Sequence, residues 1–168
     1  MTELTSDLIV LRDGTVVEVR PLERSDRATL ARAVARLSEQ SRYLRFAAAK
    51  PRLTERELDY LVDVDHHDRE ALVAIDPDTG RGIAVVRYVR DGAGDAVEIA
   101  ATVADEWQGR GLGGALVARL AERARAEGFR VLRASVLAAN ERSLRMLRRS
   151  GFSVSGGSGS MLELERTL

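Results

Sequence analysis

Cysteine is absent from the 168 residues, which excludes disulfides, thiolate metal sites and a cysteine nucleophile. Lysine is almost absent: Lys50 is the only one among 26 basic residues, and the rest of the positive charge is arginine. Aromatic side chains make up only 4%, with a single tryptophan, so no aromatic platform for stacked bases is apparent. Charge of one sign is not in excess, because 26 acidic residues balance the basic ones. That balance gives no reason to expect nucleic acid as the main partner. No apolar run approaches the ~20 residues of a membrane span. Met1 to Asp7 is polar and acidic rather than basic then apolar, so no signal peptide is visible and a cytoplasmic location is expected. The length suits one domain with a real core.

What the chain does have is a glycine-rich junction, Gln108-Gly109-Arg110-Gly111-Leu112-Gly113-Gly114. Before it, Val97, Ile99, Ala101 and Val103 alternate with Glu98, Ala100 and Thr102, the period of a strand. After it, Leu112, Leu116, Leu120 and Ala124 recur every fourth residue, the period of a helix. Glycines here let the backbone turn tightly and bring bare N–H groups close to a ligand. Those groups are the unpaired donors of a helix's first turn, and a phosphate or pyrophosphate is their natural partner. Residues 109–114 also satisfy G-x-G-x-x-G, but the next strand ends in Ser135, Val136 and Leu137 with no acid for a ribose. The Lys-Ser/Thr of a P-loop is missing as well.

Gln108-x-x-Gly111-x-Gly113 resembles the acetyl-CoA loop, Q/R-x-x-G-x-G/A, of the GCN5-related N-acetyltransferases. Asn140-Glu141-Arg142-Ser143 and Gly151-Phe152 resemble that family's later helix and terminal Gly-Phe, in the same order over residues 96–152. More narrowly, Arg12-Asp13-Gly14-Thr15, Leu37-Ser38 with 41–46, and Ala104 to Gly109 resemble the catalytic domain of bacterial protein lysine acetyltransferases that inactivate acyl-CoA synthetases. The resemblance implies an α/β (α+β) fold, a mixed, mainly antiparallel sheet of six to seven strands flanked by helices. It also implies acetyl-CoA as co-substrate, with no metal.

Around the loop, residues 1–8 read as a loose tail and 9–168 as a single domain. Asp13-Gly14 turns between two short strands. Ser25 is expected to cap a first helix over Leu30, Val34 and Leu37; a second runs from Ser38 through Phe46. Thr54-Glu55-Arg56-Glu57 is a capping box for a third. Strands are expected over 71–75, 83–89, the stretch before the loop, 131–136, 152–155 and 161–165. The loop helix should stop at Gly128, and Asn140 should cap the last helix. Residues 155–160, rich in Gly and Ser, suit either a flexible tip or a loop lining a groove.

Acetyl transfer to an amine needs the amine neutral, hence a general base. Glu98, in an otherwise apolar strand that would desolvate it, is the candidate, and the family places a glutamate there. It lies roughly 17 Å of strand from Val103, a distance comparable with a pantetheine arm. An ordinary surface carboxylate is the alternative. By resemblance, Ala101, Thr102 and Val103 offer backbone groups to that arm. Gly109, Arg110, Gly111, Leu112, Gly113 and Gly114, with Gln108, hold the pyrophosphate, and Arg110 adds charge or is simply solvated. Asn140 caps its helix and hydrogen-bonds the arm. Many relatives place a tyrosine that protonates the leaving thiolate where this chain has Leu147; Ser143 is the nearest hydroxyl. Tyr43, Arg45 and Phe46, in the helical insertion after the first strands, are expected to border the acceptor site, with core packing the favoured alternative for Phe46. Trp107 suits packing, and Asp63, Asp65 and Asp68 are available to attract a cationic amine. His66-His67-Asp68 has no further well-spaced ligands, so no metal is expected.

The expected function is direct transfer of an acetyl group from acetyl-CoA to a protein lysine. A small or N-terminal amine, or a non-catalytic acyl-CoA-binding module, stands as the alternative. An open, shallow groove would favour a protein acceptor, and crowded acids a small polycation. A monomer or homodimer with no nucleic acid or membrane partner is expected.

Overall fold

A computed structural model describes residues 6–168. Eight strands form one sheet in the order β1-β2-β3-β4-β5-β6-β8-β7, one or two more than expected. They are β1 (Asp7–Val10), β2 (Val16–Pro21), β3 (Arg69–Ile75), β4 (Gly82–Arg90), β5 (Ala96–Val103), β6 (Val131–Leu137), β7 (Ser153–Ser158) and β8 (Met161–Thr167). Five helices flank it: α1 (Arg27–Ala35), α2 (Glu39–Phe46), α3 (Glu55–Val62), α4 (Leu112–Ala126) and α5 (Glu141–Arg149). Every neighbouring pair is antiparallel except β5 and β6. That parallel pair needs a crossover, and α4 supplies it.

Period-two alternation divides the sheet between two cores. Val86, Tyr88, Val97 and Ile99 point to one face, where Leu112, Leu116, Leu120, Leu144 and Leu147 cover them. Ala71 and Val73 point to the other, against Leu30, Val34, Leu58 and Val62 of α1 and α3. The end of the sheet formed by β6, β8 and β7 has no helix over this second face, so Arg133, Ser135 and Glu163 are exposed there.

Local signals account for most boundaries. Ser38 caps α2 by accepting from the Ser41 N–H at 3.1 Å. Thr54 and Glu57 close both halves of a capping box on α3. Gly128, at φ +90°, ends the segment after α4. Four expectations fail.

Ser25 is not a cap: it lies in a 3₁₀ turn, Arg24–Asp26, and α1 starts at Arg27. The turn is anchored by buried Asp26, which accepts from both terminal nitrogens of Arg20 at 2.8 Å. The tail is shorter than 1–8, because Asp7 and Leu8 pair with Val19 and Glu18; Met1 to Thr5 lie outside the described residues. The expected six to seven strands fall short of the eight present, and Gly156, Gly157 and Ser158 lengthen β7 past 152–155 by pairing with Glu163, Leu162 and Met161. Most of the Gly/Ser stretch is therefore strand, and only Gly159 and Ser160 form the hairpin tip. A Cβ on Gly157 would stand 2.7 Å from the Met161 carbonyl oxygen, so glycine permits this close pairing.

Candidate active site

β5 and β6 are paired only over Ala96–Glu98 and Val131–Arg133. Beyond those residues both strands continue, to Val103 and Leu137, without pairing to each other. A wedge opens between them, lined by Ile99, Ala101, Ala134, Val136, Asn140 and Leu147. It adjoins a cavity of about 580 Å³ bounded by Thr102, Val103, Gln108, Gly113, Asn140 and Ser143. A third space, of about 400 Å³, lies beyond Gly113 and Met146, which line both. A continuous path thus leads from the middle of the sheet, past the first turn of α4, to the outer surface.

The glycines at the bend have separate reasons. Gly109 and Gly111 have φ of +74° and +88°, a region costly for other residues. Gly111 is the N-cap of α4 and no side chain caps that helix, which leaves its first-turn N–H groups free for a ligand. Gly113 has ordinary backbone geometry, but a Cβ there would contact Val103 Cγ2 at 3.6 Å and protrude where the two spaces meet. Leu112 is 1% exposed, so only its backbone is available.

Two loop side chains are committed to the protein itself. Arg110 donates to Asp13 at 2.9 Å and to Thr15 at 2.7 Å, and stacks 4.2 Å over the Trp107 ring. It clips the β1–β2 turn to the loop instead of offering a free charge. Thr15 backbone and side-chain hydrogen bonds, then Arg110, lower the Asp13 carboxyl to about 2. Gln108 donates to the Val103 carbonyl at 3.0 Å and to Ser41 Oγ at 3.3 Å, and accepts from Arg142. It ties α2, β5 and α5 together. Asp105 reinforces this junction by accepting from the Ser38 N–H, Ser38 Oγ and Ser41 Oγ at 2.9, 2.8 and 2.7 Å.

Asn140 caps α5 by accepting from the Ser143 N–H at 3.2 Å, and both residues line the wedge and the larger cavity. Thr102 Oγ1 accepts from Arg45 Nε at 3.0 Å. Leu147, 4% exposed, packs in the core and lines the wedge without a hydroxyl.

Glu98 departs from its expected surroundings. Its side chain is exposed, on the face shared with Ala100 and Thr102, and it lines none of these cavities. The apolar neighbours anticipated from the sequence, Val97 and Ile99, point to the opposite face. Glu98 is exposed on this face, with Arg133 beside it paired to Asp91 and Glu165 at 2.6 and 2.8 Å.

Five arginines not expected at the site surround the outer space: Arg12, Arg142, Arg145, Arg149 and Arg166. Three share α5 at helical spacing, which was a readable signal; Arg12 and Arg166 arrive from β1's end and β8 only through the tertiary fold. Asp63, Asp65 and Asp68 play no part in this site. Asp63 pairs with Arg24 and Arg69, Asp68 with Arg90, and Asp65 binds backbone N–H groups. His66 bonds Glu70 and His67 bonds Glu127, and no metal-holding cluster occurs among the described residues.

Comparison with known proteins gives a consistent result. The model of the acetyltransferase (GNAT) family matches residues 33–152. An acetyltransferase of Pseudomonas aeruginosa is 35% identical over 132 residues, covering 77% of this chain and 71% of that protein. Acetyltransferase Pat of Mycolicibacterium smegmatis is 31% identical over 144 residues, 85% of this chain but only 43% of Pat. The crystal structure of the GNAT domain of S. lividans PAT superposes with a TM-score of 0.93 at 34% identity, covering 97% of each chain. With the family model spanning most of the chain and the splayed strands and glycine turn in place, this protein belongs to the GNAT family of acetyltransferases.

Proposed function

We propose that the protein transfers an acetyl group from acetyl-CoA directly to the side chain of a protein lysine. The observation that carries this reading is the path from the β5–β6 wedge to the glycine turn, with an open sheet face at Glu98. Acetyl-CoA supplies an activated acetyl thioester. Its pantetheine arm suits the wedge, where Ala101, Thr102 and Val103 face Asn140 and Ser143. The free N–H groups of Leu112, Gly113 and Gly114 suit its pyrophosphate, with Gly109 and Gly111 shaping the turn. Arg12, Arg142, Arg145, Arg149 and Arg166 suit the remaining phosphate. Gln108 and Arg110 act as positioning residues that hold this loop.

Glu98 accepts the proton of the incoming ammonium, directly or through water, as the nitrogen attacks the thioester carbonyl. The exposed face around it admits a lysine carried on a folded protein more readily than it encloses a small amine. The resemblance to bacterial protein lysine acetyltransferases supports the same acceptor class, and the likeness to acetyltransferase Pat and to the GNAT domain of S. lividans PAT supports acetyl transfer. Leu147 offers no proton, so the thiolate leaves without a dedicated tyrosine acid.

The exposure of Glu98 outside the cavities favours one other reading, a module that binds acyl-CoA without chemistry. Thiol release from acetyl-CoA, assayed with lysine-bearing proteins and small amines, separates the two. Turnover on proteins, with Glu98→Gln lowering kcat about 10²–10⁴-fold while acetyl-CoA binding persists, is the expected outcome. Binding without any acceptor being modified selects the second reading.

A further inference from the structure

Among the described residues that line the wedge between β5 and β6, Arg45 is the only charged one. Most of the others are apolar, and Ser135, Asn140 and Ser143 are neutral. Arg45 comes from α2 and reaches across to β5, where its Nε donates to Thr102 Oγ1 at 3.0 Å. That bond, with the Phe46 ring centred 4.9 Å from the guanidinium carbon, fixes the side chain and leaves its two terminal nitrogens uncommitted among the described residues. Glu98, Ala100 and Thr102 share one face of β5, and Ala100 lines the wedge with Arg45. Desolvation, then the charge of Arg87, bring Arg45 down to about 10, still a cation at neutral pH, while the charge of Glu98 opposes the fall without a hydrogen bond.

The wedge thus holds one fixed positive charge, and its Leu147 wall offers no hydroxyl. We propose that Arg45 is a catalytic residue that stabilises the departing thiolate of acetyl-CoA. The inference rests on the acetyltransferase reading and deepens it. On its way to an amide the incoming ammonium gives up two protons, one to Glu98 and one to water. Its nitrogen bonds the carbonyl carbon, and the C–S bond breaks with the electron pair going to sulfur. Arg45 moves no proton; it meets the charge on sulfur, which takes a proton from water after leaving. Proton uptake neutralises Glu98, so Arg45 loses its opposing charge in the step that creates the thiolate. A preset charge that fits this state better than the ground state lowers the barrier.

The test is the ionisation of the thiol of CoA bound to the whole chain, read from the ultraviolet absorbance of the thiolate over a pH series. The chain has no cysteine, so CoA is the only thiol present, and desulfo-CoA subtracts the tyrosines. The bound thiol should ionise about tenfold more readily than free CoA, about one pH unit lower. Arg45→Gln should remove that advantage, and Arg45→Lys should keep part of it. Arg45→Gln should also lower kcat about 10–10²-fold, less than the loss of a buried oxyanion donor because Arg45 is partly exposed. A side chain that merely ties α2 to Thr102 would move Tm and leave the thiol unchanged. A wild-type thiol no more acidic than free CoA, a shift that Arg45→Gln retains, or an unchanged kcat overturns the proposal and leaves the acetyltransferase reading standing. CoA that does not bind overturns both. Should Arg45→Gln fail to fold, Arg45→Met, which keeps an apolar stem beside Phe46, takes its place, and the wild-type titration stands in either case.

Discussion

Arg110 sits inside the glycine turn proposed to hold the pyrophosphate, yet its guanidinium is turned away to Asp13, Thr15 and Trp107. Its contribution is to hold the loop's shape, and that gives a prediction at this one contact. Asp13→Asn should weaken acetyl-CoA binding about three- to tenfold, measured by calorimetry, because the loop is less well ordered. The same pair sets an acid limit. Asp13 has a folded pKa of about 2, below the ~3.9 of an unfolded aspartate. Its contribution is therefore complete above pH ~4 and is lost as pH falls towards 2. Titration of the Asp13 carboxyl by NMR should place its midpoint near the lower value, and Arg110→Gln should shift it upward.

Among the elements, α4 and α5 face each other across the cofactor path, and each begins with a different device. α5 relies on Asn140, whose cap is worth about 1 kcal/mol. Asn140→Ala should lower Tm by about 2–4 °C, and a loss of acetyl-CoA affinity larger than this would register its second role in the wedge. α4 relies on glycine and leaves its N–H groups bare. Gly113→Ala separates stability from binding there. Alanine is favoured in a helix by about 1 kcal/mol, and its methyl would meet Val103 at an ordinary 3.6 Å. The variant should melt at the same or a higher temperature and bind acetyl-CoA less tightly. Equal affinity would show that the ligand does not pass over Gly113.

Across the molecule, the far end of α4 is bound to the sheet by a polar network. Fully buried Glu70 accepts two hydrogen bonds from Arg123, at 3.1 and 2.9 Å, and bonds His66 at 2.8 Å. Glu70→Gln removes the buried counter-charge of Arg123 and leaves it only Glu127, at 3.9 Å. It should cost about 3 kcal/mol, the lower end of the buried range because Arg123 is partly exposed. Tm should fall by about 6–12 °C, with little effect on acetyl-CoA Kd, because about three turns of α4 separate Arg123 from Leu112, roughly 16 Å. His67 adds a weaker clasp to Glu127, whose hydrogen bond raises the histidine above its ordinary value. A raised histidine stabilises most below its unfolded pKa, so this contribution is present below pH ~6.5 and fades above it. His67→Asn should flatten the corresponding part of a Tm-against-pH curve.

The order of strands and helices from β2 onward, the caps at Thr54 and Asn140, and the glycine turn were legible in the sequence. Each is written in contacts between residues a few positions apart, which periodicity and side-chain type report directly. The Gly/Ser strand was not, since glycine and serine carry no strand pattern of their own and only pairing with β8 orders them. Nor was the exposure of Glu98: alternation says that Val97 and Ile99 face away from it, but not which face the helices cover. The sequence alone determined that a bare helix N-terminus follows an apolar strand at Gly111. Tertiary structure decided what surrounds it: Asp13 reaching Arg110, arginines from three elements gathering beyond Met146, and Arg87 enclosed beside Arg45. Those arrangements join residues tens of positions apart, and only packing of the two cores on one sheet brings them together.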